Sequence, residues 1–141
     1  MDEATPTLAD LKPMPNPTPD TAPYWDALRE HKLVLQRCSD CGVFRHYPRP
    51  LCEHCLSFDH TWEPASGRGS VHSWTETHHA FNPGFKGELP YVLVTVDLEE
   101  NVRLQLQLRD AGLDDLRIGL PVRIDFEAVN DQLTVPVARL A

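Results

Sequence analysis

"RCSDCGVFRHYPRPLCEHC", residues 37–55, contains all four cysteines of a 141-residue chain. They fall as Cys38-x2-Cys41, ten residues, then Cys52-x2-Cys55. A two-residue gap lets both sulfurs of a pair face one ion from a tight turn, and four thiolates complete the tetrahedral shell that Zn²⁺ takes at about 2.3 Å. Gly42, directly after the first pair, supplies the backbone freedom such a knuckle needs. Every cysteine is used and none is left over. Structural zinc is the first reading. A Cys₄ iron site of the rubredoxin kind, or an iron–sulfur cluster, uses the same ligands and ranks next. A thioredoxin-type redox pair needs only one Cys-x-x-Cys, at a helix N-terminus, and disulfides belong to oxidising compartments. His54 lies between Cys52 and Cys55 but finds the shell full, so it is expected to face solvent. A closed shell lacks the open position of catalytic zinc, so the site is expected to clasp the fold. Metal binding then supplies on the order of 10 kcal/mol of folding free energy.

Outward from this module, the N-terminal residues 1–22 carry prolines at 6, 13, 15, 17 and 19 and little to bury, which reads as a mobile arm. "PYWDALREHKL" (residues 23–33) predicts a short helix, with Pro23 in its first turn and Tyr24, Trp25 and Leu28 on one apolar face. So short a helix needs a surface to dock on, in this chain or another. "KLVLQR" is a strand leading into the cysteines, and "VFRHYPRP" starts β-like and is broken by Pro48 and Pro50. The organisation predicted is an arm over 1–22, a helix plus zinc ribbon over 23–66, and a β domain over 67–141.

The β domain is read from periodicity. "SVHSWTETHH" alternates and "YVLVTVDL" is largely apolar. "VRLQLQLR" points Val102, Leu104, Leu106 and Leu108 one way, and Arg103, Gln105, Gln107 and Arg109 the other. "PVRIDFEAV" directs Val122, Ile124, Phe126 and Ala128 inward. "LTVPVARL" is a last strand whose Pro136 suits an edge or a bulge. "DAGLDDLRIG", closed by Gly119, leaves room for one helical turn between the third and fourth strands. Five strands with that insert match the OB barrel, with an SH3-like barrel or small sandwich as the alternative.

Charge limits the partners. The formal net charge is −8, and four thiolates on one Zn²⁺ would take it to about −10. Nucleic-acid backbones and anionic lipid favour basic proteins, so neither is an expected partner. No apolar run approaches the roughly 20 residues of a membrane span, and the first residues lack the basic and apolar regions of a secretory signal. The expectation is a soluble, cytoplasmic chain.

Outside the cysteines no catalytic set stands out. His78 and His79 are adjacent on an extended stretch and point to opposite faces. Asp114 and Asp115 read as a solvated loop or cap. "SGRGS" precedes a strand, whereas phosphate cradles precede a helix. Arg68 within it remains a candidate contact for a coenzyme phosphate. The loop "AFNPGFKGELPY", between the first two barrel strands, carries Phe81, Phe85 and Tyr91, and OB folds commonly bind ligands with this loop. With Tyr24 and Trp25, these are the candidate partner- or ligand-binding residues.

Five stretches in this order, "PYWDAL", "LQRCSDCGVFRHYPRPLCEHC", Trp62 with "PASGRGSVHSWT", "LPYVLVTVDLEENVRL" and "IGLPVRIDFE", resemble a family of zinc-ribbon OB-fold proteins associated with acyl-CoA enzymes, long filed as a domain of unknown function. The resemblance covers residues 23–127. It departs from the family at Glu100-Asn101-Val102, where many relatives have a Gly-rich turn, and in "VPVARLA", which lacks a family-typical aromatic. It implies a rubredoxin-like ribbon with Cys38, Cys41, Cys52 and Cys55 on zinc. It implies a non-catalytic subunit that binds a thiolase-like or lipid-transfer-protein-type enzyme in a hetero-oligomer, with acyl-CoA as a ligand of the complex. Such complexes act as aldolases or retro-aldolases, thiolases or acyltransferases, some in steroid side-chain degradation beside a hydratase. The alternatives are a single-stranded nucleic-acid binder and a rubredoxin-like electron carrier.

Overall fold

The computed structural model describes residues 5, 7 and 9–141. Helix α1 (Ala22–Arg29) has Pro23 in its first turn, as expected. Its i, i+4 pair, Tyr24 and Leu28, is buried, while Trp25 sits at the margin. The helix docks on its own chain: Leu28 is 0% exposed, and His31 beyond its end stacks on Phe126 of the barrel with ring centroids 5.4 Å apart.

Three short strands make the ribbon sheet, β1 (Val34–Cys38), β2 (Phe44–Arg45) and β3 (His60–Pro64), in the order β2-β1-β3. Both pairings are antiparallel. Gln36 in the central strand is fully buried, and its amide is answered by neighbours: Arg45 Nε and the Arg49 amide donate to its Oε1 at 2.9 and 2.8 Å.

Five strands then close a barrel: β4 (Arg68–Thr77), β5 (Tyr91–Leu98), β6 (Arg103–Leu108), β7 (Pro121–Ala128) and β8 (Thr134–Leu140), in the cyclic order β4-β5-β6-β8-β7. Three strands in sequence, with the fourth and fifth exchanged and β6 and β8 parallel, is the OB arrangement. A 3-10 turn at Leu113–Asp115 occupies the expected insert, and Gly119 closes it at φ +86°. The alternation read in β6 holds, with Val102, Leu104, Leu106 and Leu108 buried.

Two expectations need correction: the inward face of Ala128 and the irregular loop after β4. Ala128 is exposed: it is the last residue of β7, paired with Thr134 where the β7–β8 hairpin turns. Pro136 sits, as expected, at a locally free edge: it pairs with Phe126 of β7, but the β6 ladder covers only Val137 and Ala138, so the missing N–H loses no bond. The loop after β4 is partly ordered as a 3-10 helix at Pro83–Glu88, with Asn82 Oδ1 accepting from the Gly84 amide. The described end of the arm makes contacts: Lys12 pairs with Glu88 at 2.7 Å and lies over the Phe85 ring at 5.0 Å. The rest of the arm's expected mobility falls partly outside the described residues.

Gly69 explains how the barrel shuts. It pairs with Leu98 of β5 on one side and Val122 of β7 on the other, and a Cβ there would meet the Asp97 carbonyl oxygen at 2.5 Å. A single hydrophobic core runs from Leu28, Leu33 and Leu35 through Val71, Val94 and Val96 to Val122 and Ala138. No described helix is long and apolar enough to cross a membrane.

Candidate metal centre and aromatic pocket

The two cysteine pairs fold as near-identical knuckles. In the first, the Gly42 amide donates to Cys38 O at 3.0 Å and the Cys38 amide to Val43 O at 3.0 Å; in the second, Leu56 donates to Cys52 O at 2.9 Å and Cys52 to Ser57 O at 2.9 Å. Both turns need a left-handed residue after the second cysteine. Gly42 supplies it at φ +78° and Leu56 at φ +65°. A leucine there costs about 1–2 kcal/mol that glycine avoids.

The four sulfurs lie within 4.8 Å of one another. The nearest pairs, Cys38–Cys55 and Cys41–Cys52, are 3.5 and 3.6 Å apart. A tetrahedral Zn²⁺ with bonds of about 2.3 Å sets sulfurs about 3.8 Å apart, so the residues present fit the ion. Negative charge resists such crowding. The Cys41 amide holds the Cys38 thiol down at about 6. The Ser57 amide draws Cys55 down too, but the Cys38 sulfur, burial and the other thiols together push it up to about 12. Four sulfurs so close cannot all ionise without a cation among them. His54 is exposed, as expected.

The other candidates divide. Tyr24, Trp25, Phe85 and Tyr91 converge on one cavity of about 460 Å³, floored by Leu104 and Leu106 of β6. It opens beside the β6–β8 seam, which is two residue pairs long, with residues of the β4–β5 and β7–β8 connections at its walls. Tyr24 is 4% exposed and lines this cavity. Its hydroxyl is pushed above the usual phenol range by burial and then by Tyr47. Sequence reading missed Tyr47, which joins α1 to the ribbon: Trp25 Nε1 donates to its hydroxyl at 2.9 Å, and the Tyr24 ring meets its edge at 5.8 Å. It also missed His46, whose ring lies 5.2 Å from Tyr24. Neither has a local signal; the ribbon loop and helix meet only in three dimensions. A larger cleft of about 780 Å³ separates the ribbon from the β5–β6 turn, but charged Arg49, Glu53, Asp97 and Arg103 line it.

Arg68 and Phe81 lie elsewhere. Arg68 is engaged by Glu99, its Nε and Nη2 donating to the two carboxylate oxygens at 3.0 and 3.1 Å. Phe81 is 93% exposed and carries only the edge of His79, 4.5 Å between centroids. His78 pairs with Glu76 instead of with His79. Asp115 caps its own turn, its Oδ2 accepting from the Gly112 amide at 2.9 Å.

A ribbon of four clustered thiols joined to a five-stranded OB barrel is matched by two adjoining family models: the ChsH2 rubredoxin-like zinc ribbon domain over residues 25–61 and the ChsH2 C-terminal OB-fold domain over residues 62–127. The chain belongs to the ChsH2 (DUF35) family. It is 40% identical to the alpha subunit of the 3-oxo-4,17-pregnadiene-20-carboxyl-CoA hydratase of Mycobacterium tuberculosis, over 83% of this chain and 38% of that one. It is 30% identical to the benzoylsuccinyl-CoA thiolase subunit BbsA of Geobacter metallireducens, over 70% and 66%. Among solved structures it superposes on a chain of an "Ltp2-ChsH2(DUF35) aldolase" with a TM-score of 0.82 and 38% identity, covering 90% of this chain and 98% of that one. The chain spans about two fifths of the length of the hydratase alpha subunits it matches.

Proposed function

We propose that this chain is a non-catalytic accessory subunit of a thiolase-like acyl-CoA enzyme, in a cytoplasmic hetero-oligomer that makes or breaks a carbon–carbon bond next to a coenzyme A thioester. The observation that carries the reading is the near-complete superposition on the DUF35 chain of an aldolase complex. Relatives named as subunits of a thiolase and of a steroid-type acyl-CoA hydratase support it. The geometry is consistent with it. Cys38, Cys41, Cys52 and Cys55 would hold Zn²⁺ in a full shell, and when bound the ion locks both knuckles together without an open position for chemistry. The aromatic cavity under Tyr24, Trp25, Phe85 and Tyr91 has the size and apolar lining to take the hydrocarbon part of an acyl-CoA.

Native mass spectrometry of the full chain, isolated gently from its own organism, tests this. The expected result is one zinc per chain and an assembly with a thiolase-sized subunit; the complex turns over an acyl-CoA thioester and the separated chain does not. Enzymatic turnover by the chain alone would overturn the proposal.

A further inference from the structure

The second knuckle holds an unusual residue. Position 56 needs the same left-handed backbone that Gly42 supplies in the first knuckle, yet it is a leucine, at φ +65° and with 68% of its surface exposed. The side chain packs into no core that would offset this conformation. Two residues on, Phe58 is 72% exposed. Strain held in an ordered turn by its surroundings is a mark of a working surface, and an exposed phenylalanine close to it in the chain is of the residue type enriched at interfaces. Phe81 and Ile118 are as exposed but stand far apart in sequence, and the other exposed large apolar residues, such as Leu11, Met14, Val43 and Tyr47, are all less than half exposed.

The surroundings say what kind of partner fits. Asp40 hydrogen-bonds Ser57, which sits between the two anchors, and the Ser39 amide donates to Asp59 O at 2.9 Å, so Asp40 and Asp59 flank the pair. Both are exposed, whereas Glu53 on the same knuckle is already paired with Arg49. A second copy meeting this face across a two-fold axis would set the acidic rims against each other, in a chain of formal charge −8. A nucleic acid would be repelled as well.

We propose that Leu56 and Phe58, held rigid by the thiolate site, dock the accessory subunit onto its thiolase-like enzyme, whose surface offers an apolar socket edged by lysine or arginine. This rests on the function proposed above and names the face that serves it. The knuckle's rigidity means little ordering is lost on binding.

The test uses the full zinc-loaded chain and the thiolase-like subunit co-isolated with it and then purified. Dissociation constants are measured for wild type, Leu56→Gly, Phe58→Ser, the double variant, Phe81→Ser and Asp59→Lys, with zinc content and melting temperature for each. Leu56→Gly and Phe58→Ser are each expected to weaken binding on the order of 30-fold. Each should keep one zinc, and Leu56→Gly should melt no lower than wild type because glycine accepts the turn. Phe81→Ser should bind normally. Asp59→Lys should weaken binding and reduce its salt dependence. Wild-type affinity in the double variant would overturn the docking face while leaving the accessory role intact, and loss of binding in Phe81→Ser alone would move the face to the barrel loop. Zinc loss or a lower melting temperature in Leu56→Gly would show that the leucine serves the fold. If the wild-type chain co-isolates with no thiolase-like subunit, the function proposed above falls and this face with it.

Discussion

His46 shows how one side chain ties the ribbon to pH. Burial, then the Arg49 charge, pulls its pKa from 6.5 to about 4. The unfolded chain therefore takes up a proton between pH 6.5 and 4 that the folded chain refuses. Stability that depends on neutral His46 is full above pH 6.5 and is lost as pH falls toward 4, by about 3 kcal/mol at most. His46→Gln should flatten the urea-midpoint profile across that window relative to wild type, with zinc present throughout; an unchanged profile would refute the assignment. At Gly69 the constraint is steric. A methyl group there strikes the Asp97 carbonyl, so Gly69→Ala should cost about 1–3 kcal/mol, read as a lower denaturation midpoint.

Among the elements, the 3-10 turn after β4 is fastened from two sides. Arg109 from the end of β6 donates to Glu127 at 2.8 Å and to Glu88 at 3.0 Å, and Lys12 pairs with the same Glu88. Arg109 holds Glu127 below the usual carboxylate range. Gly84 is where the N-terminal segment touches the turn: a Cβ would meet the Lys12 amide nitrogen at 2.5 Å. Gly84→Ala should separate the two while leaving the barrel folded. The expected signature is faster hydrogen exchange at residues 9–12, with a change in global stability under about 1 kcal/mol. Unchanged exchange would mean that the segment gains nothing from this contact.

For the whole molecule, the shared core decides how metal loss is felt. Leu28, Leu33 and Leu35 from the helix and ribbon pack in the same cluster as Val94, Val96 and Val122 of the barrel. Removing the ion with a chelator, or changing Cys41→Ser, should therefore lower the barrel's own melting transition on the order of 10 °C or more. Calorimetry with and without chelator reads this directly. A barrel transition that stays put while the ribbon melts would show that the core does not couple them.

By itself the sequence determined the elements whose cause is local. Two Cys-x-x-Cys pairs force two knuckles, strict alternation from Val102 to Leu108 fixes a half-buried strand, and Pro23, Gly119 and the "EEN" turn punctuate the chain. The strand count with a helical insert favoured the OB barrel over an SH3-like barrel or small sandwich, and the closed strand order decided it. In the "EEN" turn Asn101 adopts φ +63°, a left-handed conformation that asparagine tolerates better than most residues. Tertiary structure alone decided which aromatics share a cavity. Tyr47 and His46 meet Tyr24 and Trp25 because the ribbon loop folds back on α1, a contact between residues 22 apart in the Trp25–Tyr47 bond. It likewise drew Arg68 to Glu99, left Phe81 bare, and required Gly69 where β4 must approach two strands at once. Local rules act through the backbone and its nearest neighbours, whereas a pocket or a paired charge is fixed by packing between segments distant in the chain.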